Sequence, residues 1–180
     1  MQLQIRLAIL LIFVFLPLYA CNNFLSPTKP SNPVGPPAIE QPGITAGIPI
    51  VDIISESNNQ RRINGLDALT ENKKLNAAAD YKMRDMFDRQ YFDHYGPNGT
   101  FGIAELVIKF NYRYMEVGEN LAMGHYRDAS ALVGAWMASP GHRANILRNS
   151  YRDIGVATGY NVFEGRRTMI AVQIFGTQRQ

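Results

Sequence analysis

The sequence contains very little cysteine, histidine or tryptophan. Its 180 residues include one cysteine, Cys21, one tryptophan and three histidines. A single cysteine excludes an intrachain disulfide, so packing must stabilise any folded part. The formal net charge is only +3, and this small excess gives no electrostatic argument for nucleic-acid binding. No internal repeats are present.

The first 20 residues predict a signal peptide of the lipoprotein type. One positive charge, Arg6, precedes an apolar run at residues 7–20, which has the length of a signal-peptide core and is too short for a comfortable membrane span. The run ends in LYAC at residues 18–21. This ending resembles a bacterial lipobox, whose cysteine is acylated and becomes the new N-terminus, so lipidation of Cys21 is predicted. An ordinary secretory signal followed by a chance cysteine is the alternative.

Residues 21–48 are predicted to comprise the lipidated Cys21 and a Pro-rich linker, residues 22–48. The stretch SPTKPSNPVGPPAIEQPG, residues 26–43, is rich in Pro, Ser, Asn and Gly, and it cannot bury enough apolar surface to offset its ordering entropy. The remaining residues, 49–180, have the length of one domain.

Hydrophobic periodicity in this domain predicts helices followed by a β-hairpin. A helix is expected from residue 50 to about 64, and a second one after Thr70 as N-cap, with Leu75 to Phe87 in a buried stripe and Lys82 on another face. Shorter helices are expected within residues 101–112 and, with Asp128 as N-cap, within 128–139. Residues 115–124 are predicted to form an irregular strand or loop. Alternating residues after 153, with a turn at Glu164-Gly165, predict two antiparallel strands. The predicted class is therefore α+β, with helices around a small antiparallel sheet.

Four short motifs follow one another along the domain. They are YFDH at 91–94, GEN at 118–120, AWMASPGHRANIL at 135–147 and DIGVATG at 153–159. Together they resemble the bacterial branch of the CAP superfamily, which comprises cysteine-rich secretory proteins, antigen 5 and pathogenesis-related 1 proteins. The resemblance extends from about residue 50 to residue 176. It implies an α-β-α sandwich with a small antiparallel sheet between helices and a surface cleft.

The resemblance also implies a functional site in that cleft. In the family, two histidines and two glutamates face each other there and can hold a divalent metal such as zinc. His94 and His142 match the two histidines, and Glu119 matches the first glutamate. Ser139 stands where the second glutamate is expected, and Asn120 and Ser139 are expected to neighbour the cleft. Two imidazoles and one carboxylate with an open position also form a ligand set of catalytic zinc, so the three matching residues are the candidate metal ligands and catalytic groups.

Each of these residues also has a plainer interpretation. Without the other motifs, His94 would be a surface residue before a Gly-Pro turn, and Glu119 and Asn120 could satisfy loop backbone groups. Pro140-Gly141 predicts a helix stop. After that stop His142 either follows a simple cap and turn or is aimed across the cleft.

Two functions are compatible with this pattern. One is a lipid-anchored binding module whose cleft holds a metal, a small apolar ligand or a cell-envelope component. The alternative is a metal-assisted or His/Glu hydrolase acting on peptides or envelope polymers. No serine or cysteine lies in a recognisable nucleophile motif, which favours binding. We expect a monomer outside the cytoplasm, anchored by its N-terminal lipid to the outer membrane or to the outer face of the plasma membrane, with no nucleic-acid partner.

Overall fold

Residues 43–179 are the part of the chain that the structure, a computed structural model, describes, and they contain both helices and strands. The predicted signal peptide, Cys21 and most of the predicted linker lie outside the described residues. The elements in chain order are β1 (Thr45–Ala46), α1 (Ile50–Ile63), β2 (Thr70–Glu71), α2 (Lys73–Arg89), a 3₁₀ turn (Pro97–Gly99), α3 (Ile103–Lys109), β3 (Tyr114–Gly124), α4 (Ala129–Ala138), α5 (Pro140–Ile146), β4 (Asp153–Phe163) and β5 (Arg166–Gln178). No helix within the described part is long and apolar enough to cross a membrane.

The β4–β5 hairpin forms the centre of the sheet. Glu164 and Gly165 connect its strands with φ values of 47° and 76°, as a two-residue turn of type I′ requires at both central positions. The predicted turn is therefore confirmed. The strand order is β1-β4-β5-β3, and β2 adds a short parallel pairing to β4. Of the irregular strand or loop expected, the structure has a strand: β3 pairs with β5 over most of its length, with one irregularity between Tyr114 and Glu116.

Alternating side chains of β5 face two separate hydrophobic cores. Because successive residues of a strand point to opposite faces, one core lies between the sheet and α1, α4 and α5, and the other lies between the sheet and α2 and α3. The first core contains Met169, Ala171 and Phe175, and the second contains Ile170, Val172 and Ile174. Helices thus cover both faces of an antiparallel sheet, which confirms the predicted α+β class and the α-β-α sandwich.

The predicted stripe of α2 is buried, but two details of this helix differ from the sequence prediction. The N-cap is Asn72, whose side chain accepts from the backbone N–H of Lys74. Thr70 cannot cap the helix because it pairs with Asp153 as part of β2. Lys82, expected on a polar face, is only 1% exposed.

The segment around Pro140 begins a helix as well as ending one. Asp128 caps α4 as predicted, since its carboxylate accepts from the backbone N–H of Ala131. α4 ends at Ala138, and Ser139 has an extended backbone. Pro140 then occupies the first position of α5, where its missing N–H costs nothing. The expected turn is therefore a short helix, with His142 in its first turn.

The folded part begins earlier than the predicted boundary at residue 49. Thr45 and Ala46 pair with β4, and the side chain of Ile48 is buried in the first core. The hydroxyl of Thr158 donates to the carbonyl of Ile48 at 2.7 Å. Residues 45–48 therefore belong to the domain rather than to the linker.

Candidate functional site

A direct contact between His94 and Glu119 forms the centre of the site. His94 lies in the loop after α2, and Glu119 lies on β3. The imidazole Nδ1 is 2.7 Å from the carboxylate Oε2. The His94 side chain is 55% exposed, whereas that of Glu119 is only 3% exposed. The pair therefore joins a buried carboxylate to an imidazole that solvent or a ligand can reach.

This contact determines which ring nitrogen of His94 carries the proton and how the ring is oriented. A carboxylate accepts, so Nδ1 must carry the proton, and in the neutral ring Nε2 is left as the acceptor. The hydrogen bond to Glu119 is the main cause that raises the pKa of His94, and it outweighs the opposing effect of burial. The second oxygen, Oε1 of Glu119, is buried without a hydrogen-bond partner among the described residues.

His142 is the second imidazole of the site. Its side chain is half-buried near the start of α5. Burial lowers the pKa of His142, and the charge of His94 lowers it further. The pKa values of the two histidines are thus shifted in opposite directions from the ordinary value.

A buried amide network positions the backbone around both groups. Asn120 donates to the carbonyl of His142 at 3.2 Å and to Gln173 Oε1 at 3.0 Å. Asn145 donates to the carbonyl of Glu119 at 3.0 Å and to Oδ1 of Asn120 at 2.9 Å. The network therefore ties α5, which carries His142, to the strand that carries Glu119.

A cavity of about 370 Å³ lies beside the pair. Its wall includes His94, Tyr95, Ile103, Ala104, Glu105 and Glu119. The predicted cleft neighbours do not line this cavity. Asn120 is fully buried behind the site, and Ser139 is a half-buried N-cap whose side chain makes no capping hydrogen bond.

The three candidate ligands do not form a ready-made three-ligand set. Within residues 43–179, no group of three or more His, Cys, Asp or Glu side chains is arranged to hold a metal ion. One reason is that Oε2 of Glu119 is engaged by Nδ1 of His94. Two imidazoles fit a metal only as a partial ligand set, with Glu119 behind His94, and metal binding stays a prediction.

Comparison with known proteins decides the family of the chain. The model of the cysteine-rich secretory protein family, CAP, matches residues 54–175, which is more than half of the chain. The chain belongs to the CAP family. YkwD of Bacillus subtilis is 37% identical over 105 residues, which are 58% of this chain and 40% of that protein. This CAP chain therefore matches less than half of the length of YkwD.

Solved structures confirm the fold. An outer surface protein from Borrelia burgdorferi matches with a TM-score of 0.63 at 21% identity, over 72% of this CAP chain and 92% of that one. An extracellular protein containing an SCP domain from Bacillus anthracis matches with a TM-score of 0.59 at 26% identity, over 70% of this chain and 39% of that one.

Sequence reasoning identifies the titratable groups of the CAP site but misses their supports. The place of Asn145 after the Pro-Gly stop predicts only a turn residue, and the charge of Lys82 favours a solvent-facing side of α2. Only Lys82 carries a detectable signal, because it lies next to Met83 and three residues after Ala79 on the buried side of α2.

Proposed function

We propose that this CAP domain is a binding module of the bacterial cell envelope whose His94 and His142 imidazoles bind a divalent cation. The observation that supports the proposal most directly is the 2.7 Å contact between His94 Nδ1 and Glu119 Oε2. A histidine that ligates a metal usually donates its other ring N–H to a carboxylate or carbonyl, which orients the ring. Glu119 then acts as the orienting group of His94 and not as a direct ligand.

The affinity of such a site is expected to be modest. Two imidazoles supply fewer protein ligands than the three or four of ordinary zinc sites, and the hydroxyl of Ser139 is a poor substitute for a carboxylate. A bound cation would supply a Lewis acid at the wall of the cavity. Because ligating histidines must be neutral, binding should weaken as the pH falls through the pKa of His94, which lies above the ordinary 6.5.

The cavity beside His94 is the proposed place for an envelope ligand. Ile103 and Ala104 give its wall apolar surface, and Glu105 and Glu119 give it acidic groups. Its volume of about 370 Å³ is at the lower end of small-molecule pockets. A location outside the cytoplasm is supported by two structural relatives, one described as an outer surface protein and the other as extracellular.

Zinc titration of the full chain, purified in detergent, tests the proposal. We expect His94→Ala and His142→Ala to abolish measurable zinc binding, and Ser139→Glu to strengthen it. Glu119→Gln should weaken binding by roughly 10–100-fold, as loss of an orienting partner does.

The matched control is His125→Ala, because His125 is exposed and stacks on Tyr160, and this variant should bind zinc normally. Equal loss in the control, or no zinc binding by the native chain, would contradict the proposal. Metal-dependent cleavage of peptides or peptidoglycan would instead support the hydrolase.

Lipidation at Cys21 is the second part of the proposal. The LYAC ending of the apolar run supports it, and we propose that the lipid holds a monomeric domain at the membrane. Cys21→Ser should move the protein from the membrane fraction to the soluble fraction or leave it unprocessed. Mass spectrometry of the native chain should find acylation at the N-terminal cysteine. Normal processing and membrane attachment of the variant would contradict this part.

A further inference from the structure

A buried lysine lies behind the His94–Glu119 pair. Lys82, on α2, is 1% exposed. Its ammonium donates to the hydroxyl of Tyr91 at 3.2 Å and to the backbone carbonyl of His94 at 3.1 Å. These two bonds reach the first and last residues of the YFDH motif. Lys82 therefore connects a rigid helix to the loop that carries the exposed imidazole.

The charges that face Lys82 come from several elements. Burial is the main cause that lowers its pKa, and Glu119 on β3 is the largest opposing influence, followed by Asp85 and Asp93. Arg89 acts in the same direction as burial. A buried charge is costly without a partner. Glu119 is also buried, and one of its oxygens has no hydrogen-bond partner in the described part of the chain. The charge of Glu119 thus favours the ammonium form of Lys82, although no direct ion pair joins the two groups among the described residues.

The Tyr91 hydroxyl is itself fixed. It donates to Oδ2 of Asp85 at 2.6 Å while it accepts from Lys82. The two residues that hold the hydroxyl lie on α2, one turn apart, so the start of the loop cannot shift without breaking bonds to the helix. The other bond of Lys82 holds the end of the same loop at the carbonyl of His94.

We propose that Lys82 is a positioning residue for the His94 site. Its ammonium fixes the loop at Tyr91 and at the carbonyl of His94, and this loop places the His94 ring against the carboxylate of Glu119. The carboxylate then holds Nδ1 of His94, and Nε2 is presented for a ligand. This inference rests on the proposed function for the importance of the site, but its structural consequence exists without any metal.

The tautomer of His94 tests the inference directly. Full-length protein with ¹⁵N-labelled histidine is studied in detergent by two-bond ¹H–¹⁵N correlation, without metal and at a pH well above the pKa of His94. The native chain should show His94 protonated at Nδ1.

Lys82→Met and Lys82→Gln both remove the charge, and Gln keeps a hydrogen-bond donor. Both should show mixed or reversed tautomers and roughly 10–100-fold weaker zinc binding. Lys73→Met is the matched control, since Lys73 is exposed on the same helix, and it should behave as the native chain.

The outcomes separate this inference from the proposed function. If the native chain binds no zinc, the proposed function fails, and the tautomer still decides the role of Lys82. A cooperatively folded Lys82 variant with the native tautomer would overturn the inference. Failure of both variants to fold would also overturn it, because Lys82 would then serve folding rather than positioning.

Discussion

At the scale of single residues, the site holds two imidazoles with opposite proton preferences. Glu119 favours the protonated form of His94 through a direct hydrogen bond. Burial and the neighbouring His94 disfavour the protonated form of His142. Near neutral pH the first proton therefore goes to His94, while His142 stays neutral and able to act as a ligand.

This difference predicts the order in which the histidines titrate. NMR titration should give a midpoint above 6.5, the ordinary value, for His94 and below 6.5 for His142. The stability that His94 contributes should be present below its unfolded pKa and lost as the pH rises through its higher folded pKa. The contribution of neutral His142 should be present above its unfolded pKa and lost as the pH falls through its lower folded pKa. Glu119→Gln should bring the His94 midpoint down, and the reverse order of midpoints would contradict the assignment.

Trp136 is expected to be a major source of stability. Its side chain is 1% exposed in the first core, and its indole N–H donates to the carbonyl of Leu121 at 3.1 Å. Trp136→Ala should lower the free energy of unfolding by roughly 3–5 kcal/mol. Urea denaturation followed by circular dichroism measures this loss. Met115→Ala is the control, because Met115 is 68% exposed and should change stability by less than about 0.5 kcal/mol. Similar midpoints for the two variants would show that the tryptophan contributes little packing.

At the scale of elements, the contact between α2 and β4 is unusually close. Gly155 lies on β4, and a Cβ atom there would collide with the backbone of Leu75 and Asn76 at the start of α2. The side chain of Asn76 also accepts from the backbone N–H of Val156 at 2.9 Å. The missing side chain of Gly155 therefore allows the start of α2 to approach the sheet this closely.

Gly155→Ala should consequently be destabilising, by roughly 1–3 kcal/mol, because the backbone of α2 has to move. Gly134→Ala is the matched control. Gly134 is exposed on α4, and nothing lies within 4 Å of a Cβ added there. This second variant should gain roughly 0.5–1 kcal/mol from better helix propensity. Denaturant melts of both proteins should therefore shift in opposite directions, and a neutral Gly155→Ala would refute the close-packing argument.

At the scale of the whole molecule, the segment before α1 closes one edge of the sheet. β1 pairs with β4, and Ile48 fills a place in the core while its carbonyl accepts from Thr158. The segment that leads to the predicted linker is thus part of the packed structure.

A chain that begins at residue 43 should therefore be more stable than one that begins at residue 49. The free energy of unfolding should differ by roughly 2–4 kcal/mol, because the shorter chain lacks one buried isoleucine side chain and one buried hydrogen bond. Urea melts of the two proteins at equal concentration give the comparison. Coincident midpoints would place the domain boundary at residue 49 after all.

Local sequence rules determined the parts of this protein that depend on near neighbours. The buried stripe on α2 follows from helical periodicity. The Asp128 cap depends on one side chain and one nearby backbone N–H. The turn at Glu164 and Gly165 follows from the two alternating strands that flank it. The motifs around His94, Glu119 and His142 were enough to indicate the family and the titratable groups of the site.

The tertiary structure decided what depends on partners far away in the chain. Thr70 is a strand residue because β4 lies beside it. Residues 114–124 form a strand rather than a loop because β5 pairs with them. Lys82 can be buried because the hydroxyl of Tyr91 and the carbonyl of His94, both in the loop after α2, accept hydrogen bonds from its ammonium. Glu119 likewise lies behind His94 because pairing with β5 sets its place on the sheet. Helical periodicity describes only which residues three or four positions apart share a helix face, so it could not determine these long-range contacts.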